Sequence, residues 1–399
     1  MSLRRRLDTL RRQAGGAAPE GELRRRLERL RPQRPGPAPR AGAPDPEALA
    51  RRVGGELLEQ GLVRIESRLA PGSCHGRVTL DGLAPLDWPG LRLSSREGLG
   101  FLDTETSGLA GGTGTVAYVV GLAVFRGGGL HLRQYLLGSF QAEGALLARL
   151  EGDLAGLAAL VTYNGGSFDL PLLRDRFGLA RRPSPLHDLA HLDLLHAVRA
   201  LFRRRLPDCR LASCEGHLLG FARHGDLPGS EAPEVWFDWV RRGDCARMPE
   251  VLRHNRLDII SLAALLERLE RAWADPAAAG ADPLGAARAW ERGGDPERAF
   301  CLLQAQQHAL DGRGWLELAR RCRRRGEWAA ARRIWEQRVR EGCAESAESL
   351  AKYHEHVARD PQAALAASAG LPEGEASRRR RERLKRKAAR PASGRLGLG

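Results

Sequence analysis

Apolar and polar residues follow two different patterns along the chain. Between residues 99 and 137, short apolar runs bounded by Gly and Thr predict three adjacent antiparallel strands, over residues 99–103, 116–125 and 130–137. Beyond them, a strand pattern over residues 157–163 alternates with helical patterns over residues 142–150, 168–177 and 251–269. Three strands, a helix and a strand–helix unit predict an α/β domain built around a mixed sheet.

The last third of the chain carries a repeat. The segments GDPERAF, GEWAAAR and RDPQAAL begin at residues 294, 326 and 359, a spacing of 32 and 33 residues. Each segment lies between two helical patterns, over residues 286–292 and 296–306, 314–324 and 327–338, and 346–357 and 361–370. This period resembles that of tetratricopeptide repeats, although the Tyr and Pro positions of that motif are mostly absent. The pattern predicts an α-helical repeat module, with an ordinary helical bundle as the alternative.

Composition divides the chain into five predicted regions. A basic arm rich in Pro and Gly, residues 1–50, is predicted to be disordered, and a small β-containing lead-in follows over residues 51–95. The α/β domain then spans residues 96–272, the helical repeats residues 280–372, and a basic tail residues 373–399. Residues 377–389 of this tail fit either a helix or a disordered arm.

The formal charge of +15 lies mostly at the two ends of the chain. Residues 1–50 hold twelve Arg against six acidic residues, and residues 371–399 hold ten Lys and Arg against three. Only +2 is left for the 320 residues between them. Basic ends attract polyanions such as nucleic acid, and solvated arms in an Arg-rich composition are an equally weighted alternative.

Composition also bears on the surroundings of the protein. The longest apolar run, near residues 115–125, is far shorter than the roughly 18 residues that span a bilayer, and no apolar stretch of a secretory signal follows the basic first residues. Seven cysteines include no Cys-x-x-Cys pair, so a disulfide framework or a structural zinc site is not expected. We expect a cytoplasmic protein with reduced thiols and no membrane partner.

Two acidic residues end the first predicted strand of the α/β domain. In the run FLDTETSG, Asp103 and Glu105 are two positions apart, and side chains at i and i+2 of a strand point to the same face. Carboxylates held this close repel each other unless a cation lies near, and hard oxygen ligands suit Mg²⁺ or Mn²⁺. A solvated strand end is the simpler alternative for this pair alone.

Further polar residues of this kind lie in two other elements. In YNGGSFDLPLL, Asn164 ends a predicted strand and Asp169 lies in the first turn of a helix, where the helix dipole favours a carboxylate. In HNRLDIISL, His254 and Asp258 are four residues apart and share one helix face. A turn residue, a helix cap and a surface His–Asp pair are the respective alternatives.

Taken in order, these motifs resemble the DEDD (DnaQ-like) 3′–5′ exonuclease superfamily, and most closely its YprB-type branch. The similar stretches, all within residues 95–270, are FLDTETSGLAGGTGT, YNGGSFDLPLL, HLDLLHAVR, CRLASCEGHLLGFARHGDLPG and HNRLDIISL. The resemblance implies a ribonuclease-H-like fold, with a mixed five-stranded sheet flanked by helices. It does not account for the basic ends or the helical repeats.

The resemblance also implies a two-metal phosphodiesterase that acts on DNA or RNA. Two divalent cations, Mg²⁺ or Mn²⁺, would be bound by the residues that match the four acidic positions of the superfamily: Asp103, Glu105, Asp169 and Asp258. His254 matches the residue that orients or deprotonates the attacking water. The residues expected to contact the substrate are Thr106, Gly108, Leu109, Asn164, Phe168 and Asn255.

The position of His254 departs from the pattern of the relatives. They mostly carry Tyr four residues before the last Asp, or His five residues before it, whereas this chain has His at the Tyr position. An imidazole, with an unperturbed pKa of about 6.5, suits the work of a general base.

Two other motifs are weaker candidates for chemistry. The segment HDLAHLDLLH contains His187, His191, Asp193 and His196, but these residues do not share one helix face and the intervening leucines give the segment a packing role. A transition-metal site is therefore disfavoured, and Asp193 fits better as a residue that lines the cleft. The glycine-rich loop over residues 108–114 lacks the Lys of a phosphate-binding P-loop.

Three functions are compatible with this reading of the sequence. A 3′–5′ exonuclease is favoured, a structure-specific endonuclease would use the same metal site, and a non-catalytic nucleic-acid-binding scaffold would keep only the fold. The helical repeats are expected to bind a protein partner or to cover one face of the catalytic domain. The basic ends would strengthen nucleic-acid binding without reading its sequence.

Overall fold

The computed structural model describes residues 43–108 and 114–389 of the chain. In chain order, the strands of this part are β1 (Glu56–Leu57), β2 (Leu62–Leu69), β3 (Cys74–His75), β4 (Val78–Thr79), β5 (Leu86–Trp88), β6 (Leu91–Leu93), β7 (Leu99–Thr106), β8 (Ala117–Arg126), β9 (Gly129–Leu137), β10 (Ala159–Thr162) and β11 (Ala190–Asp193).

Helices surround these strands and then continue alone to the end of the described chain. They are α1 (Pro46–Val53), α2 (Glu143–Leu154), α3 (Asp169–Leu179), α4 (Leu194–Phe202), α5 (Leu211–Cys214), α6 (Ala232–Arg242), α7 (Met248–Ala274), α8 (Pro283–Arg292), α9 (Pro296–Ala305), α10 (Gly312–Arg324), α11 (Trp328–Arg340), α12 (Ala344–His356), α13 (Pro361–Ala367) and α14 (Glu375–Ala388). A π-helical turn, Glu215–Leu219, follows α5 directly.

Seven of the strands form one mixed sheet, in the order β1-β2-β9-β8-β7-β10-β11. Strands β1, β2, β9, β8 and β7 pair antiparallel, and β10 and β11 continue the sheet in parallel. This arrangement confirms the predicted α/β class with its mixed sheet. The sheet is two strands wider than the five strands expected, because β2 pairs with β9 along its whole length, from Leu62↔Leu137 to Leu69↔Leu130.

Helix α1 overlaps the arm that was predicted to be disordered. The Asp45 side chain accepts a hydrogen bond from the Glu47 backbone N–H at 3.0 Å, and Pro46 occupies the first turn, so the sequence begins a helix here. Leu49 and Ala50 are buried on its inner face. Residues 46–50 are therefore helical, which corrects the prediction for them. Residues 1–42 of the arm lie outside the described residues.

Helix α7, with 27 residues, joins the lead-in to the main sheet. It packs on β7 and β8 of the main sheet and on the lead-in strands β3, β4 and β5. The buried guanidinium of Arg96 contacts the carboxylates of both Glu267, at 2.6 Å, and Glu270. The lead-in therefore completes the core of the α/β domain from one side.

The helical C-terminal region agrees closely with the helices expected from the repeat. Helices α8 to α13 form three successive antiparallel pairs, and each pair begins its second helix close to the predicted position. Helix α14 then packs on α13, with Leu384 fully buried. Arg383 and Lys387 of α14 each contact the Glu355 carboxylate of α12 at 2.7 Å. The basic tail is thus helical over α14, and residues 390–399 lie outside the described residues.

Neither a disulfide nor a membrane-spanning helix is found in the described part of the chain. All seven cysteines lie in it, and each is a free thiol. No helix of residues 43–108 and 114–389 combines the length and the apolar character that crossing a bilayer requires.

The buried His75 is expected to make the fold sensitive to acid. Burial, together with the positive charge of Arg223, lowers the pKa of His75 from 6.5 to about 4. Between these values the unfolded chain binds more protons than the folded one, so this stabilisation is complete above pH 6.5 and is lost as the pH falls towards 4. His75→Gln, which keeps a polar partner for Ser261 but does not titrate, should lose less stability over this range, by up to about 3 kcal/mol.

Urea unfolding of the wild-type protein and His75→Gln, at a series of pH values between 6.5 and 4, measures this difference. If the two proteins lose stability in parallel, His75 is not the group responsible.

Candidate active site

The first part of the site lies at the C-terminal end of β7, a central strand of the sheet. Asp103 and Glu105 both lie on this strand, and an irregularity in its pairing with β8 follows directly, between Glu105 and Thr106. Such bulges bend a strand and re-aim its side chains, and they are common beside active sites. Glu105 is buried and Asp103 is half-buried, since α7 packs over this face.

The close approach of α7 to β7 depends on a glycine. Gly121 of β8 pairs directly with Asp103, and a Cβ atom at this position would lie 2.3 Å from Asn255 Oδ1 and 2.2 Å from Ile259 Cδ1. No side chain larger than hydrogen fits there. The missing side chain lets Asn255 reach Asp103, so Gly121 is a structural part of the site that the sequence motifs did not reveal.

Asn255 has a different place from the one predicted for it. The sequence suggested a substrate contact, but Asn255 is fully buried and its amide is used internally. Its Nδ2 donates to the Asp103 carboxylate at 2.8 Å and to the Asp103 carbonyl at 3.1 Å. Its Oδ1 accepts from Gln134 Nε2 at 2.8 Å. Asn255 and Gln134 therefore position Asp103 and do not face a substrate.

The third acidic residue, Asp169, comes from the start of α3. Its Oδ1 accepts a hydrogen bond from the hydroxyl of Thr104, the residue between the two acids of β7, at 2.5 Å. Burial is the main cause that raises the pKa of Asp169, and the hydrogen bond from Thr104 opposes it. The contact joins the strand-to-helix turn after β10 to the end of β7.

The fourth acidic residue, Asp258, lies one turn beyond His254 on α7. His254 Nε2 is 3.6 Å from Asp258 Oδ2, and His254 Nδ1 is 2.8 Å from Asp226 Oδ2. Arg223 forms ion pairs with both Asp258 and Asp226. The predicted His–Asp pair is therefore part of a larger network that is half-buried beside the sheet.

The acidic residues influence one another electrostatically. Burial and the negative charges of Asp258, Asp169 and Glu105 raise the pKa of Asp103 well above its usual range. Burial and the charges of Asp258, Asp169 and Asp226 do the same to the pKa of Glu105, against the opposing charge of Arg223. Burial also raises the pKa of Asp258, and Arg223 and His254 oppose it. The four predicted acids thus form one cluster.

An open cleft adjoins this cluster on the side of α3. It has a volume of about 460 Å³, and its walls include Asp103 and Asp169 together with four of the predicted substrate contacts, Thr106, Gly108, Asn164 and Phe168. The Phe168 ring is 59% exposed at the mouth of the cleft. Leu109, another predicted contact, lies outside the described residues. The cleft has the size and position to receive the end of a chain next to the acids.

Asn164 begins the turn at one wall of the cleft, and Asp193 accepts hydrogen bonds from this turn from the end of β11. Asn164 has a left-handed backbone, with φ of 62°, and its N–H donates to Asp193 Oδ1 at 2.8 Å. The same carboxylate also accepts from the N–H groups of Gly166, at 3.2 Å, and Leu195, at 3.1 Å. Asp193 therefore supports the backbone of the turn, rather than lining the cleft as the sequence suggested.

Three of the four acids in the cluster each accept a hydrogen bond from another side chain of the protein. Asn255 donates to Asp103, Thr104 to Asp169, and Arg223 to Asp258. In this arrangement no three His, Cys, Asp or Glu side chains of the described residues could hold a metal ion together. This applies equally to the weaker candidate set of His187, His191, Asp193 and His196.

The chemistry of the donor set nevertheless fits divalent cations. Glu215 and Asp226 add two more carboxylates to the four predicted ones, and Arg223 is the guanidinium that faces them. The Oδ1 atom of Asp226 is buried without a hydrogen-bond partner among the described residues. An excess of oxygen donors and of negative charge in a buried pocket is what Mg²⁺ and Mn²⁺ bind.

Three residues of the network were not identified from the sequence: Glu215, Arg223 and Asp226. They lie in a stretch of the sequence without helical or strand periodicity. Its similarity to the YprB-type branch was the one reason to single out this stretch, and it did not single out these three residues. The available signal was an Arg in the short segment FARH between two glycines, Gly220 and Gly225. In the structure both glycines have left-handed backbones.

Comparison with known proteins agrees with this fold. Residues 100–270 match the family model of the RNase_H superfamily. This part of the chain is an RNase H-like domain, and RNase H-like nucleases generally use divalent metal ions. Over 172 residues, 43% of the chain, it is 34% identical to a Bacillus subtilis (strain 168) protein with the name Uncharacterized protein YprB. The aligned part is 41% of that relative's length, and the resemblance to the YprB-type branch is thereby confirmed.

Proposed function

We propose that this protein is a metal-dependent 3′–5′ exonuclease that hydrolyses phosphodiester bonds in nucleic acid. The observation that carries the proposal is a half-buried cluster of four acids, contributed by three separate elements, that adjoins an open cleft. An RNase H-like fold is consistent with this activity.

The proposed metal ligands are Asp103, Glu105, Asp169 and Asp258. They would hold two divalent cations, Mg²⁺ or Mn²⁺, which supply charge stabilisation for the attacking and leaving oxygens of the displacement. Two such ions would balance most of the negative charge that Arg223 leaves uncompensated. For this to occur, the oxygens now held by Asn255, Thr104 and Arg223 have to turn partly towards the ions.

The proposed general base is His254. The Asp226 carboxylate accepts a hydrogen bond from Nδ1 of His254. This contact fixes the imidazole ring and leaves Nε2 as the atom that takes a proton from the attacking water. Asp226 is therefore a positioning residue for His254. Burial opposes ionisation of Asp226, but hydrogen bonds and charges from Arg223 and His254 outweigh it and lower the pKa of Asp226, so this carboxylate is ionised and can hold an imidazolium.

Replacing His254 by Ala is expected to slow hydrolysis about 10²–10⁴-fold, the usual contribution of a general base. The reason is that no other imidazole lies beside Asp258 in the described residues. Single-turnover rates with a saturating end-labelled strand measure the effect on the chemical step.

His224→Ala is the matched control, because His224 is an exposed imidazole in the neighbouring loop and its backbone carbonyl, rather than its side chain, is used by Arg253. It should retain the wild-type rate. An unchanged rate in His254→Ala would remove His254 from the mechanism.

The proposed substrate contacts lie along the cleft. Phe168 offers an exposed aromatic face on which a base can stack, and such stacking tolerates any base. Thr106 and Gly108 also line the cleft, and the Thr106 hydroxyl donates to the Gly108 carbonyl at 3.0 Å. The basic ends, including α14, would add salt-sensitive affinity, and the helical region would offer a surface for a protein partner.

Digestion of matched single- and double-stranded DNA and RNA, each labelled at either end, tests the proposed function in the presence of Mn²⁺. An exonuclease of the proposed polarity releases mononucleotides first from the 3′ end and leaves a circular single strand intact. Cleavage of the circle would identify an endonuclease instead. If nothing is degraded and Asp103→Ala still binds nucleic acid, the protein is a scaffold.

A further inference from the structure

Arg223 forms ion pairs with three carboxylates in the buried network next to the acidic cluster. Its Nε and Nη2 donate to the two carboxylate oxygens of Glu215, at 2.8 and 2.5 Å. Its Nη1 donates to Asp226 at 2.9 Å, and its Nη2 also reaches Asp258. The Arg223 side chain is only 12% exposed, so these three carboxylates satisfy it almost entirely.

Glu215 is the fixed partner of Arg223. Its side chain is 2% exposed, and the π-helical turn Glu215–Leu219 directs it inward. The Ser261 hydroxyl of α7 donates to Glu215, and His75 Nε2 lies 2.8 Å from the same hydroxyl. This chain of buried contacts holds the Glu215 carboxylate in place whether or not Asp258 is engaged.

The backbone on either side of Arg223 is held as well. Arg253 of α7 donates to the carbonyls of Gly225, at 2.8 Å, and His224, at 2.9 Å. On the other side, the Arg77 N–H donates to the carbonyl of Leu219 at 2.7 Å. Arg223 is therefore tied to the domain at both ends of its loop, and its guanidinium stays beside Asp258.

We propose that Arg223 is a positioning residue that acts as a built-in counter-cation: it holds Asp258 while no metal is bound and competes with the metal for it. This inference rests on the proposed function, which assigns Asp258 as a metal ligand. When Asp258 turns to a divalent cation, Arg223 retains its bidentate contact with Glu215 and its contact with Asp226. The exchange therefore leaves no buried charge without a partner.

In this arrangement Arg223 raises the stability of the metal-free protein and lowers its affinity for a metal ion. A guanidinium cannot lose its proton in a protein, so its charge opposes a cation at Asp258 under all ordinary conditions. The same charge stabilises the metal-free cluster against repulsion among its carboxylates. Loss of Arg223 should thus weaken the metal-free fold and strengthen metal binding, whereas a purely structural residue would weaken both.

Titration calorimetry of the full chain with Mn²⁺ tests this directly. Arg223→Met is expected to bind Mn²⁺ about tenfold more tightly than the wild-type protein, or better, because a like charge near the ligand has been removed. Its melting temperature without metal should fall, and the rise in melting temperature on adding Mn²⁺ should be larger than in the wild type.

A second variant keeps the test decisive if Arg223→Met fails to fold. The double change Arg223→Met with Glu215→Gln removes the buried pair as a unit, and a Gln carbonyl can still accept from Ser261. The matched control is Arg256→Met, because Arg256 lies two residues before Asp258 on α7 but donates to Ser67, at 3.3 Å, outside the acidic cluster. The double variant should show the tighter Mn²⁺ binding, and the control should not.

Unchanged or weaker Mn²⁺ binding in folded Arg223 variants overturns the inference, while Mn²⁺ binding by the wild type leaves the proposed metal site standing. Absence of Mn²⁺ binding in the wild type and in all variants overturns the proposed metal site, and the inference with it. Binding that emerges only when Arg223 is removed supports the inference in its strongest form.

Discussion

Asp103→Asn is expected to abolish hydrolysis, with a loss of about 10³-fold or more, and at the same time to raise the melting temperature of the metal-free protein. The loss follows from removing an ionic ligand at the position where the charge of the reacting phosphate has to be balanced. The gain follows because Asp103 is repelled by Asp258, Asp169 and Glu105, and an uncharged amide relieves this repulsion. An Asn side chain can still accept the hydrogen bond from Asn255.

Rates with an end-labelled strand in Mn²⁺, and thermal melts in a chelator, measure the two effects on the same preparation. Asp188→Asn is the control, because Asp188 is exposed and lies away from the cluster. It should change neither quantity. A marked fall in the metal-free melting temperature of Asp103→Asn would show that the cluster is a structural network and not a metal site.

Arg96→Met is expected to destabilise the fold by about 3–5 kcal/mol, the usual result of removing one member of a buried ion pair. Arg96 and Glu267 are 5% and 6% exposed, and Arg96 Nη1 also donates to the Asp81 carbonyl at 2.7 Å. Without the guanidinium, the Glu267 carboxylate is left buried and Asp81 loses a donor. Burial already raises the pKa of Glu267.

Urea unfolding of the wild type and Arg96→Met gives this difference in the free energy of unfolding. Arg92→Met is the control, because the Arg92 side chain is 63% exposed and its ion pairs with Asp87 and Asp295 are screened by water. Its unfolding midpoint should stay close to that of the wild type. The double variant Arg96→Met with Glu267→Gln should recover part of the loss, and a failure to do so would argue against an uncompensated charge as the cause.

The residues of the site that could be predicted are those whose spacing within a single strand or helix places them on one face. Asp103 and Glu105 share a strand with period two, and His254 and Asp258 share a helix face at a spacing of four. The paired helices of the C-terminal region were predictable from the spacing of the repeat, whereas for residues 377–389 the sequence left a helix and a disordered arm open. Short-range spacing is enough to place such residues on a common face.

The partners that come from distant parts of the chain could not be predicted in this way. Gln134 reaches Asn255 across 121 positions, and Arg223 reaches Asp258 from a loop with no periodic pattern. Asn255 is an example. Its place in the motif suggested a substrate contact, whereas in the folded chain it is buried and supports Asp103. Only the folded chain shows which polar groups end up inside.

The lead-in was underestimated for a related reason. Strand β2 carries Arg64, Glu66 and Arg68 on one face, and Ser67 interrupts the apolar residues of the other face, so its strand signal in the sequence is weak. Its position is fixed by pairing with β9, which is a non-local contact. A strand of this kind is recognised by what it pairs with rather than by its own composition.

The contacts of α7 determine which part of the chain has to be kept together in a chimaera of two related proteins. The stretch that matches the family model begins at residue 100, yet α7 is fastened to Arg96 and His75, which precede it. At the other end, the Trp290 indole of α8 donates to the carbonyl of Trp273 at 3.3 Å. A chimaera joined at the borders of sequence similarity would cut through this shared interior. A cassette that also carries residues 46–99 and α8 would keep it whole.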